Sequence, residues 1–253
     1  MNEEIREIHG VKTAFRKSGS GRPVVLLHGW GQNMMMMSAI ENHLSSFFTV
    51  YNLDFPGFGE SETPKTPWGV YDYEAFLDDF CRLNNIENPI LIGHSFGCRI
   101  AICYAKDHPV YKMCLTGAAG IRPKPTLSQK VKTGLFSAGK KVLLAAHQEE
   151  MLKKLQQHGG SSDYRALTGV MRESFVEIVN EDLTPYLPMI KCPVLLVWGE
   201  NDEAVPLAMG RQMEQQMPDA GLAVFEGDDH FAYWHQPVRF NQVLDAFLKE
   251  DMS

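Results

Sequence analysis

The sequence predicts an α/β fold: a mostly parallel central sheet of about eight strands, with helices on both faces and one insertion. Three observations lead there. Short β-rich runs, each followed by a helical pattern, recur from residue 23 onward, which is how strands buried on both faces of a parallel sheet read. The chain has 253 residues, of which 44% are apolar and 10% aromatic; that is enough to bury a large core in one domain and short for two full ones. The alternation then stops between residues 120 and 188, where lysine- and leucine-rich helical stretches replace it.

The elements follow in order. Residues 5–9 and 11–17 alternate apolar and polar side chains, an antiparallel pair at the sheet edge joined by a turn near Gly10. Parallel strands are predicted at 23–28, 49–53, 89–93, 112–117, 193–199 and 221–226. Helical periodicity marks 34–46, 71–85, 96–107, 207–217 and 238–249, with Asp72 and Pro206 as start signals. The methionine run at 34–37 packs one side of the first of these helices. Further helical stretches at 140–157 and 163–179 fall inside the insertion, which Pro123, Pro125, Pro185 and Pro188 flank as connectors. The body is therefore expected at 1–120 and 188–253, with 121–187 inserted.

Charge and cysteine usage remove several function classes. The balance of 24 basic against 31 acidic residues gives −7, which disfavours nucleic acid or an anionic membrane as partner. The charge is uneven: residues 121–160 carry +6 and the remainder −13. The start of the chain is acidic and lacks a secretory pattern, so a cytoplasmic protein is expected. No apolar run approaches the roughly 20 residues needed to cross a bilayer. Five cysteines, odd in number and without a Cys-x-x-Cys pair, read as reduced, buried thiols and support neither a disulfide framework nor a zinc site.

The chemistry concentrates at Gly93-His94-Ser95-Phe96-Gly97, between the strand at 89–93 and the helix at 96–107. A serine at the apex of a sharp strand-to-helix turn needs small neighbours at Gly93 and Gly97, and the turn presents its hydroxyl at a helix N-terminus. Ser95 is thus a candidate nucleophile; the plainer alternative is a helix-capping serine. A hydroxyl needs a base. Among nine histidines, His230 stands just after the last predicted strand, while His235 reads better as the beginning of the last helix. His28 and His94 sit inside tight motifs, where packing or hydrogen-bonding support is the expected role.

For an acid to orient the base, Glu200, Asp202 and Glu203 follow the strand at 193–199. Asp202, at the loop tip, is preferred; all three could instead simply charge a helix N-terminus. Two backbone donors are needed for an oxyanion. Phe96 N–H, beside Ser95, supplies one, and Trp30 N–H in His28-Gly29-Trp30-Gly31 the other. The Trp30 indole either walls an acyl pocket or only packs. Residues 54–61, with their glycines and proline, read as a turn supporting that loop, with Phe55 or Phe58 reaching the pocket. Phe136, Leu143, Phe175 and Phe231 are further candidate pocket residues.

The motifs His28-Gly29-Trp30-Gly31, Asp54-Phe55-Pro56-Gly57-Phe58-Gly59-Glu60-Ser61, Gly93-His94-Ser95-Phe96-Gly97, Trp198-Gly199-Glu200-Asn201-Asp202 and His230-Phe231 together resemble the α/β-hydrolase superfamily, in its single-domain branch with a helical cap. The likeness spans roughly residues 20–120 and 188–250. It implies Ser95 as nucleophile, Asp202 and His230 as its partners, the Trp30 and Phe96 amides as oxyanion hole, and a cap at 121–187. Two residues depart from the pattern: Cys98 where a glycine is common, and His235 where a glutamate is. The resemblance implies a serine hydrolase of small to medium carboxylic esters, with no metal or organic cofactor, acting as monomer or homodimer. Hydrolysis of a carbon-carbon bond in a vinylogous diketone is the alternative, and a ligand-binding module of the same fold the non-enzymatic one. Lys130, Lys132, Lys140 and Lys141 are placed to attract an anionic substrate, or form the solvated face of the insertion.

Overall fold

A computed structural model describes residues 3–122 and 168–252. Strands β1 (Glu3–Ile8) and β2 (Val11–Ser18) form the edge hairpin. Its two-residue turn sets His9 and Gly10 at φ 51° and 74°, the doubly left-handed geometry that matches strand twist. Strand β3 (Pro23–Leu27) lies inside the sheet, while β2 pairs antiparallel with β4 (Thr49–Leu53). From there every pairing is parallel, through β5 (Ile90–His94), β6 (Lys112–Thr116), β7 (Val194–Gly199) and β8 (Ala220–Phe225). The order is β1-β2-β4-β3-β5-β6-β7-β8. The predicted strands coincide with these to within a few residues at their ends.

The alternation of side chains along β3 explains why both faces are covered. Val24 and Leu26 join one core with Ile40 and Leu44 of helix α1 (Ser38–Leu44). Val25 and Leu27 join the other, with α2 (Val70–Leu83) and α3 (Phe96–Asp107). Helix α2 shows how sequence makes such an element. Val70, Tyr73, Phe76, Leu77, Phe80 and Cys81 form one buried stripe, each large apolar side chain contributing about 1.5–3 kcal/mol on burial. The helix stops at Asn85, whose φ of 53° lets the amides of Asn85 and Ile86 turn back to Arg82 O and Cys81 O, a Schellman closure.

Two local expectations are corrected and one is met. Residues 34–46 are not one helix: Met34–Met37 form a 3-10 turn before α1, with Met34 and Met37 buried and Met35 58% exposed. The turn is fixed from outside, because Asn33 Oδ1 accepts from Met35 N and Asp54 Oδ1 from Met34 N. Asp72 serves as the expected start signal: in the first turn of α2 its carboxylate accepts from Gly69 N, before the helix, at 2.7 Å. His235 ends a separate short helix rather than opening the last one.

The remaining described helices are α4 (Gly169–Asn180), α5 (Leu207–Gln216), α6 (Ala232–His235) and α7 (Pro237–Leu248). Pro237 has no N–H and can only begin a helix, which separates α6 from α7. All five cysteines are buried free thiols; burial pushes Cys192 up to about 11 and Cys103 up to about 12. Among the described residues no helix is long and apolar enough to cross a membrane.

Candidate active site

The loops leaving the carboxyl ends of the parallel strands converge at one edge of the sheet, where open α/β folds place their ligands. Ser95 stands between β5 and α3 at φ 49° and ψ −102°. A non-glycine residue held there costs on the order of 1–3 kcal/mol, which the surroundings must offset. They do so at both ends of the residue: Ser95 N donates to Thr116 O at 3.0 Å, and Ser95 O accepts from Cys98 N and Ala119 N. At Gly97 a Cβ would lie 2.1 Å from Leu27 O, so only glycine lets α3 start this close to β3. Cys98 packs beneath, fully buried, with Sγ 3.6 Å from Thr116 O.

His230 lies on the loop after β8, and its Nδ1 is 2.7 Å from Asp202 Oδ2. A carboxylate only accepts, so Nδ1 carries the proton and Nε2 keeps its lone pair. The other Asp202 oxygen accepts from Val205 N at 2.8 Å, and the Asp202 side chain is wholly buried. Neighbouring acids turn elsewhere: Glu200 accepts from Gly227 N, and Glu203 is exposed. Gly117, at φ 52°, backs the imidazole; a Cβ there would come within 2.9 Å of Nδ1. On another side the His94 ring lies 4.7 Å from that of His230. His94 Nδ1 donates to Thr116 O, and burial together with the nearby His230 keeps His94 neutral, far below the usual histidine range.

His235 turns away from Ser95. Its Nδ1 is 2.8 Å from Asp228 Oδ1, while Gln236 Nε2 donates to Asp228 Oδ2, so these residues tie the His230 loop to the beginning of α7.

His28 orders the loop after β3. Its Nδ1 donates to Gly29 O at 2.7 Å and its Nε2 accepts from Phe55 N at 3.0 Å. Gly29 O also accepts from Gln32 N. The carbonyl of the Gly29–Trp30 peptide is thus held on one side, and in a planar trans peptide its N–H, that of Trp30, must point the opposite way. Phe96 opens α3, so its N–H is one of the donors without an intrahelical acceptor. The 54–61 segment supports this loop as expected: Asp54 accepts from Met34 N and Glu60 N, and Ser61 Oγ donates to Asp54 O. Phe55 and Phe58 do not wall the cavity described below. They pack edge-on against His28 from beneath, because Phe55 N is tied to the buried imidazole.

Burial lowers His28 to about 4, against the smaller opposing effect of its bond to Gly29. The unfolded chain takes up this proton near the ordinary value of 6.5, while the folded chain refuses it until about pH 4. Its stabilising contribution is therefore complete above pH 6.5 and is lost as pH falls through that window, by about 3 kcal/mol in total. Urea unfolding between pH 7 and 4 is expected to show wild type losing stability more steeply than His28→Gln; equal slopes would contradict this role.

Ser95, His230, Trp30 and Phe96 line one cavity of about 340 Å³. Phe175 and Ile178 of α4 and Phe231 add apolar wall, and Phe175 sits 5.4 Å from the Trp30 ring. Of the other candidates, Phe136, Leu143 and the lysines Lys130, Lys132, Lys140 and Lys141 lie outside the described residues. Sequence reasoning missed Gly117, which no local motif marks, and Arg99, another lining residue, which stands in the first turn of α3. A serine hydroxyl, an imidazole with a free Nε2 and outward peptide N–H groups around one cavity are the components of acyl transfer.

A family model described as the alpha/beta hydrolase family matches residues 24–243. Among curated proteins, the chain is 28% identical to a 2-hydroxy-6-oxononadienedioate/2-hydroxy-6-oxononatrienedioate hydrolase of Paraburkholderia phymatum, over 94% of this chain and 91% of that protein. It is 24% identical to the pimeloyl-[acyl-carrier protein] methyl ester esterase of Aeromonas hydrophila, over 94% of this chain and 100% of that protein. Among solved structures, an esterase from Exiguobacterium antarcticum superposes with a TM-score of 0.77 at 23% identity, covering 98% of this chain and 100% of that one; at that identity the likeness speaks for the fold.

Proposed function

The chain belongs to the alpha/beta hydrolase family, and from that premise we propose that it is a serine hydrolase cleaving carboxylic esters of small to medium acyl groups. The observation that carries this reading is the 2.7 Å Asp202–His230 bond beside a strained Ser95 on the same cavity. His230 Nε2 takes the Ser95 proton as Oγ attacks the acyl carbon. Asp202 keeps the proton on Nδ1 and stabilises the imidazolium that forms. The Trp30 and Phe96 amides receive the oxyanion, and the α3 N-terminus favours its charge. The imidazolium then protonates the leaving alkoxide. Water, deprotonated by His230, releases the acid from the acyl-enzyme.

Residues 121–187 act in this reading as a cap that selects the acyl group, with Phe175 of α4 as its contribution to the wall. The buried thiols suit a reducing compartment, the cytoplasm. A second reading, hydrolysis of a carbon-carbon bond in a vinylogous diketone, draws support from the dienedioate hydrolase relative. The two separate in one assay. The enzyme is expected to turn over p-nitrophenyl butyrate with at least a tenfold higher kcat/KM than a 2-hydroxy-6-oxo-dienoate; the reverse ranking would replace the ester reading by the second.

A further inference from the structure

Among the described residues that line the cavity, Arg99 is a cationic group that the mechanism does not use. It is only 7% exposed, yet it lines the cavity together with Ser95, His230, Ile121, Phe175 and Val179. Among the described residues its guanidinium makes one hydrogen bond, Nη1 donating to the backbone carbonyl of Glu181 at 2.9 Å, and no ion pair.

The two carboxylates whose charges act on it, Glu181 and Asp182, are hydrogen-bonded to other groups. Glu181 accepts from Tyr71 Oη, and Asp182 Oδ1 from the backbone amide and hydroxyl of Thr184. Burial draws Arg99 down to about 10, opposed by the charges of Asp182 and Glu181, so it remains a cation at neutral pH. A buried cation without a paired anion is costly, and a guanidinium fork fits a carboxylate in two-point contact.

We propose that Arg99 is the specificity-determining residue of the cavity, binding a carboxylate at the far end of the substrate's acyl group, so that the preferred substrates are esters of short dicarboxylic acids. This rests on the ester-hydrolase reading and adds the substrate class. Ser95 immediately precedes α3 and Arg99 lies in its first turn, about 4.5 Å along the axis from Phe96, a short separation that suits about two to four methylenes between the scissile carbonyl and the carboxylate.

The test compares mono-p-nitrophenyl glutarate with p-nitrophenyl valerate, a neutral ester of matched length. Wild type is expected to favour the glutarate ester at least tenfold in kcat/KM. In Arg99→Gln that ratio falls tenfold or more, through KM, and Arg99→Lys restores part of it. A role confined to tying α3 to the chain after α4 predicts equal losses on both esters, and that result overturns the proposal. So does a wild-type enzyme with no preference for the charged ester, which needs no variant to fold.

Calorimetric titration with glutarate separates the two readings. Binding that is weakened tenfold or more in Arg99→Gln, in a protein that cleaves neither ester, retains the carboxylate site and removes the hydrolase reading. Absence of glutarate binding in a wild type that cleaves the neutral ester removes the site and retains the hydrolase.

Discussion

Ser95→Ala is expected to lower turnover of p-nitrophenyl butyrate by about 10⁴-fold or more with KM little changed. The size of the effect follows from the local structure. The hydroxyl stands at the apex of the β5–α3 turn, directly before the α3 N-terminus, at φ 49°. Cys98, the nearest other nucleophile along α3, is fully buried beneath the turn, with its thiol raised well above its ordinary value by burial and the adjacent Cys114. Alanine keeps the backbone and the helix, so the fold should persist. Equal thermal unfolding of the variant and wild type is the control, and retention of more than a few per cent of activity would place the chemistry elsewhere.

Asp202→Asn is expected to cost a comparable factor, about 10³–10⁴ in kcat, while leaving substrate binding in place. Both oxygens of this buried carboxylate accept hydrogen bonds, Oδ2 from His230 Nδ1 and Oδ1 from Val205 N. A carboxamide offers one acceptor oxygen and one NH₂ group, so it cannot serve both donors. If its oxygen stays on Val205 N, the NH₂ faces His230 and forces the imidazole to accept through Nδ1. The proton then moves to Nε2, the atom that must receive the Ser95 proton. The kinetic signature is a fall in kcat without a matching rise in KM. An Asp202→Asn enzyme with wild-type kcat would show that His230 is oriented by something else.

The placement of these candidate residues was largely legible in the chain because they occupy positions that fold physics restricts. Ser95 needed a strand, a glycine-flanked turn and a helix in that order. The distinction between His230 and His235 rested on the first lying in a loop after a strand, and that is where it sits. The reading of His235 as the beginning of the last helix failed because the tie to Asp228 is a contact through space and because Pro237 restarts the helix two residues on. The 3-10 turn at Met34–Met37 was hidden for a similar reason: Asp54, twenty residues away, holds it. Phe55 and Phe58 read as pocket residues since aromatic side chains near a site look alike in sequence; only the buried His28 shows that they support the loop from below. Arg99 looks like any basic residue on a helix until the tertiary fold buries it.

The central claim is that Ser95 is the group that becomes acylated. Treatment with a fluorophosphonate probe followed by peptide mass spectrometry tests it most directly, since phosphonylation needs the same activated hydroxyl and oxyanion donors as ester attack. The account predicts one adduct, on Ser95, formed by wild type, strongly slowed in Asp202→Asn and absent from Ser95→Ala. An adduct on another residue, or labelling that persists in Ser95→Ala, would contradict it.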